Sequence, residues 1–132
     1  MDRIVHFEIH ASDPSRAANF YKNVFGWDIQ EWKGLDMQYW MVMTAPEDSK
    51  EKGINGGMII RKGPEPKEGQ CVNAFVCTVQ VENIDDVISK IEKEGGKVQM
   101  PKYSIANMAW QAYYTDTEGN IFGVHEAIKP LK

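Results

Sequence analysis

With 132 residues, 42% hydrophobic and 26% charged, the chain has the composition of an ordinary folded domain and lacks the low-hydrophobicity, high-charge signature of disorder. Half this length would bury too little surface to be secure alone, so 1–132 reads as a single domain. A net charge of −4 without a Lys/Arg cluster gives no field to hold a phosphate backbone or anionic lipid, which excludes nucleic acid and membrane as expected partners.

Residues Arg3-Ile4-Val5-His6-Phe7 lack the basic, apolar, small-residue order of a signal peptide, and no apolar run reaches membrane-spanning length, which predicts a cytoplasmic location. Over 4–11 apolar and polar residues alternate, putting Phe7, Ile9 and Ala11 on one strand face and His6, Glu8 and His10 on the other. Asp13-Pro14 supplies a helix N-cap and a proline at the first helical position. Ala17, Phe20, Tyr21, Val24 and Phe25 then mark the apolar stripe of an amphipathic helix closed by Gly26. Strand-like stretches follow at 27–32, 37–44 and 54–61, completing a first β-α-β-β-β unit over 1–61. The segment 62–70, rich in Pro, Gly and charge, reads as a linker.

The same order returns 70 residues later, over 71–132. Cys77, Val79 and Val81 match the inward set of the first strand, Asn83 replaces Asp13, Gly96 replaces Gly26, and Trp110 matches Trp40. Strands are expected at 97–100, 108–115 and 121–127, with the turn Asp116-Thr117-Glu118-Gly119-Asn120 before the last. Cys71 and Cys77 fall in one expected strand region with no metal-type spacing to His and read as packing residues. The fold class is therefore α+β, with tandem units forming a curved mixed sheet. The sheet faces not covered by helices would form an open trough.

Val5-His6-Phe7-Glu8-Ile9, Asp13-Pro14, the helix end Phe20-Tyr21-x-x-Val24-Phe25-Gly26-Trp27 and the turn Asp116-x-x-Gly119-Asn120, arranged as a duplicated unit, resemble the vicinal oxygen chelate superfamily. It includes glyoxalase I, extradiol dioxygenases, methylmalonyl-CoA epimerase, fosfomycin-resistance transferases and metal-free bleomycin-binding proteins, so activity does not follow from the fold. The resemblance implies, for the metal enzymes, a divalent ion in the trough held by residues of the first and last strands and acting as a Lewis acid. Carried onto this chain, the first-strand ligand is His6, its counterpart is Val76, the last-strand carboxylate falls on Gly123, and the fourth position falls near Met58. One imidazole cannot hold a divalent ion against water.

The expected function is small-molecule binding in the trough without metal or other cofactor, through His6, Glu8, Trp40, Trp110 and His125. No catalytic residue is assigned. His6 has three readings: a relic metal ligand, a hydrogen-bonding group for a ligand, or a satisfied structural histidine. Glu8 is a general base in a dry trough or a structural partner. Trp40 and Trp110 are pocket walls or core, and Met37, Met41, Met43, Met58 and Met108 are adaptable lining or filler. One alternative is a metal-dependent lyase, isomerase or dioxygenase of lactoylglutathione lyase type, with ligands relocated among His6, Glu8, His10, His125 and Glu126. Another is a protein-partner-binding module. The resemblance also implies a homodimer.

Overall fold

The computed structural model describes residues 3–34 and 36–128. The chain divides into two compact units, Met1–Glu65 and Pro66–Lys132. The first holds β1 (Phe7–Ala11), α1 (Pro14–Phe25), β2 (Asp28–Glu31), β3 (Trp40–Met43) and β4 (Gly56–Ile60). The second holds β5 (Thr78–Gln80), α2 (Ile84–Lys93), β6 (Lys97–Ile105), β7 (Ala109–Thr115) and β8 (Ile121–Ala127). Both units are β-α-β-β-β, and each forms its own four-stranded mixed sheet, ordered β1-β4-β3-β2 and β5-β8-β7-β6. In each, the first strand pairs in parallel with the last, and the remaining pairs are antiparallel. The parallel pair needs a long return path, which the helix and the middle strands supply.

Helix α1 begins where the sequence places it. Asp13 is extended and its Oδ1 accepts from Arg16 N at 3.1 Å, with Pro14 inside the first turn. It ends at Gly26, left-handed at φ 76°, whose N–H returns to Lys22 O at 2.8 Å. Trp27 then folds back, stacking on Tyr21 at 5.2 Å and on Phe25 at 5.1 Å between ring centroids and meeting Phe7 at 6.0 Å. This packing explains why the helix end carries so many aromatic residues. Phe20, Tyr21 and Val24 meet Ile9, Val42 and Met58 in the core, each large apolar side chain contributing roughly 1.5–3 kcal/mol of burial.

In the second unit Asn83 Oδ1 accepts from Asp86 N at 3.1 Å. The left-handed stop is Gly95, at φ 98°, rather than Gly96. Gly96 is instead the following residue, its N–H reaching Ile91 O at 2.8 Å in a Schellman-type closure. Ile84 and Ile91 pack with Ala112, Tyr114, Phe122 and Val124 in the core. Strand β6 runs five residues past the expected end at 100. Pro101 is tolerated because β6 is an edge strand with a register shift between Met100 and Tyr103.

Other expectations also change. Strand β1 starts at Phe7, and Ile4, Val5 and His6 precede it as exposed residues. Cys71 and Cys77 are exposed, not packed; β5 begins only at Thr78, and Cys77 precedes it with its carbonyl accepting from Gly123 N at 2.9 Å. The repeat offset is also not constant. Glu8 pairs with Gly57 and Thr78 with Gly123, keeping the offset of 70, but Gly57 faces Met41 while Gly123 faces Tyr113. The hairpin of β6 and β7 therefore carries two more residues than that of β2 and β3, and the structural counterpart of Trp40 is Ala112, not Trp110.

One ionisable contact fastens α2 to its sheet. The Tyr114 hydroxyl donates to Glu92 Oε1 at 2.9 Å, and desolvation followed by this carboxylate pushes its pKa from 10.0 up to about 12. The neutral phenol is the favoured form, so its stabilisation is complete below pH 10 and is lost as pH rises toward 12. Titration of tyrosinate ultraviolet absorbance should show a phenol ionising near pH 12 that disappears in Tyr114→Phe.

Candidate functional site

Each sheet packs its helix on one face, and strand register assigns the remaining side chains to the other. In the first unit, Phe7, Ile9 and Ala11 face α1, so Glu8 and His10 lie on the open face with their ladder partners Gly57 and Ile59. Met41, paired with Gly57, shares that face. Trp40 pairs with Met58 and Met58 with Ile9, which puts Trp40 on the helix side, away from Glu8. Met58 is itself fully buried there.

The open face centres on Gly57. A Cβ at this position would run into the hydroxyl of Tyr39, because the Tyr39 side chain lies directly across the glycine. The same hydroxyl is 3.2 Å from His6 Nε2. Beside this pair, His10 Nε2 is 2.9 Å from Glu8 Oε1, both side chains being about half exposed. An exposed pair of this kind contributes little to stability. The sequence-selected groups in and just before β1 are therefore engaged, His6 by a phenol and Glu8 by a neighbouring imidazole.

The second unit repeats the device with different residues. Thr78, Gly123, Tyr113, Gln111, His125 and Tyr103 share its open face by register. A Cβ at Gly123 would sit 2.7 Å from both Gln111 Nε2 and Thr78 Oγ1, so absence of a side chain is what lets these two groups meet, at 3.4 Å. The other end of the Gln111 amide meets His125, with Nδ1 and Oε1 3.0 Å apart. Gln111 is buried and His125 half-buried. Tyr103 is held above the ordinary phenolic pKa, first by loss of hydration and then by neighbouring Tyr113. Trp110 lies on the helix side, paired with Glu126, whose Oε1 accepts from Ile84 N at 2.7 Å at the start of α2. The Lys102 ammonium sits 4.6 Å over the Trp110 ring and 2.8 Å from Asp85 of the same helix.

Of the five sequence-selected residues, the structure brings His6 and Glu8 to one open face and His125 to another, and puts both tryptophans on helix faces. Tyr39, Gln111 and Thr78, which engage or support these groups, were not selected. Strand alternation around Met41 and Tyr113, and the 70-residue step from Glu8 to Thr78, were the signals available for them. One depression on the first unit borders its open face at Ile59, beside Met37 and Gln38, and another, of about 580 Å³, opens between Phe25 and the loop at Pro46. The turn at 116–120 is structural: Asp116 Oδ1 accepts from Glu118 N at 2.8 Å and Asn120 N at 2.9 Å.

The residues at the positions that the sequence resemblance gives to a metal do not fit a divalent ion. The register puts the fourth position at Gly57 rather than Met58. Both carboxylate positions are thus glycines covered by neutral side chains, and the counterpart of His6 is Val76. Among the described residues no group of three or more His, Cys, Asp or Glu side chains is placed to hold a metal. Gly123→Ala should force Gln111 and Thr78 apart and destabilise the protein by about 1–3 kcal/mol in urea unfolding.

Comparison with known proteins extends these observations. The family described as bleomycin resistance protein-like N-terminal matches residues 3–44. CFP32 of Mycobacterium bovis, which carries a glyoxylase name, is 27% identical over 127 residues; the match covers 91% of this chain but 44% of that protein, so the chain spans under half its length. Among solved structures, the fosfomycin resistance protein FosX of Listeria monocytogenes, in a complex with Mn(II) and 1S,2S-dihydroxypropylphosphonic acid, aligns with a TM-score of 0.70 at 13% identity. It covers 95% of this chain and 90% of its own. TnmS3, an antibiotic binding protein from Streptomyces sp. CB03234, aligns with a TM-score of 0.61 at 18% identity over 96% and 97% of the two chains. At these identities the solved structures speak for the fold alone.

Proposed function

We propose that this chain, which belongs to the vicinal oxygen chelate superfamily of glyoxalase-like and bleomycin-resistance-like proteins, binds a small organic molecule through the open faces of its sheets without a metal. The observation that carries this reading is the same in both units. Where the superfamily's metal enzymes need a carboxylate, the chain has a glycine, and a neutral side chain crosses it to, or beside, a histidine: Tyr39 toward His6, and Gln111 between Thr78 and His125.

A divalent ion needs several charged or imidazole donors converging at once. Beside the Glu8 carboxylate, which His10 engages, these faces offer phenol, carboxamide, hydroxyl and imidazole groups, which select a ligand by hydrogen bonds and shape. Exposed Met41 and Met100 and half-buried Tyr113 supply apolar contact beside them. Among the selected residues, the reading rests on His6, Glu8 and His125. Trp40 and Trp110, on the helix side of their sheets by register, stand outside it. TnmS3 supplies a precedent for binding by a protein of this fold.

The test is ligand-observed NMR of chelator-treated protein against a panel of small aromatic and heterocyclic compounds. Binders should persist in chelator, and His6→Ala or His125→Ala should weaken them about 10-fold, the equivalent of about 1.4 kcal/mol. Binding that appears only after a divalent metal is added would contradict the proposal.

A further inference from the structure

The structure assigns Gln111 as a positioning residue that sets the tautomer of His125, so that this face takes a ligand with an O–H or N–H donor on a flat apolar body. The inference rests on the proposed ligand-binding role of the open face and specifies what the second unit recognises there.

The Gln111 side chain is buried, with its NH2 turned toward Thr78 Oγ1 at 3.4 Å and its carbonyl oxygen toward His125 Nδ1 at 3.0 Å. A carboxamide oxygen can only accept, so in this arrangement Nδ1 carries the proton and donates. In the neutral imidazole the other nitrogen, Nε2, then holds a lone pair and is an acceptor. Gly123 is integral to the device: a Cβ there would stand 2.7 Å from both Gln111 Nε2 and Thr78 Oγ1 and separate them. In this unit the position expected to bear a metal-binding carboxylate instead gives passage to the chain of groups that orients a histidine.

The ligand class follows from what shares this face with His125, whose partner on β5 is Gln80. Tyr103 is the ladder partner of Gln111, and Tyr113, two residues along β7, shares its face with Met100 and Gly123 as partners. Two phenol rings and a thioether on the face that carries this acceptor favour a flat apolar molecule bearing a hydroxyl or N–H group. A hydroxyaromatic compound is the simplest chemistry that satisfies both.

Long-range proton–nitrogen NMR on ¹⁵N-histidine-labelled protein reads the tautomer directly, at about pH 8, where imidazole side chains are ordinarily neutral. Wild-type His125 should give the protonated-type signal at Nδ1 and the lone-pair signal at Nε2. Gln111→Leu should lose this assignment in favour of Nε2–H, whereas Gln111→Glu, which keeps an acceptor beside Nδ1, should retain Nδ1–H. Phenol should shift the Nε2 signal, and anisole, lacking the O–H, should leave it in place. Nε2–H in the wild type, an unchanged tautomer in Gln111→Leu, or equal responses to phenol and anisole would each overturn the inference. A metal requirement for binding, with the tautomer pattern intact, would instead overturn the proposed function alone.

Discussion

The parallel pairing of the first strand of each unit with its last is the constraint on which the rest of the structure depends. It obliges the chain to leave β1 through a helix and return through a hairpin before β4 can lie alongside, and the second unit obeys the same order. It also fixes which residues face each other across the pair. Glu8 meets Gly57 and Thr78 meets Gly123, so the chemistry of each open face turns on what a neighbouring strand lays over a glycine.

Two such glycines admit two solutions. In the first unit a phenol crosses the backbone to an imidazole, and in the second an amide bridges a hydroxyl and an imidazole. Both lay an uncharged phenol or carboxamide over the glycine, in room that a Cβ would otherwise take. The missing side chain lets Tyr39 reach His6 in the first unit and lets Gln111 meet Thr78 in the second.

Much of this was legible in the sequence. Asp13-Pro14 and Asn83 announced both helix starts, and the 70-residue step correctly related Glu8 to Thr78 because no insertion separates first strand from helix in either half. The same step failed for Trp40 and Trp110, since the β6–β7 hairpin holds two further residues and strand phase cannot be carried through a hairpin of different length. Side-chain polarity named His6, Glu8 and His125. It could not name Tyr39 or Gln111, whose roles arise from reaching across a strand to a place the sequence shows only as Gly. Cys71 and Cys77 were misread because apolar character was equated with burial, whereas both lie exposed ahead of β5.

The account therefore stands on the claim that these faces bind through neutral hydrogen-bonding groups rather than through a coordinated ion. Elemental analysis of the purified protein, after incubation with Mn, Fe, Ni and Zn salts and removal of free metal, tests this most directly. The account predicts far less than one equivalent of any of these metals per chain, with no difference between the wild type and His6→Ala. A stoichiometric metal that disappears in His6→Ala would contradict it.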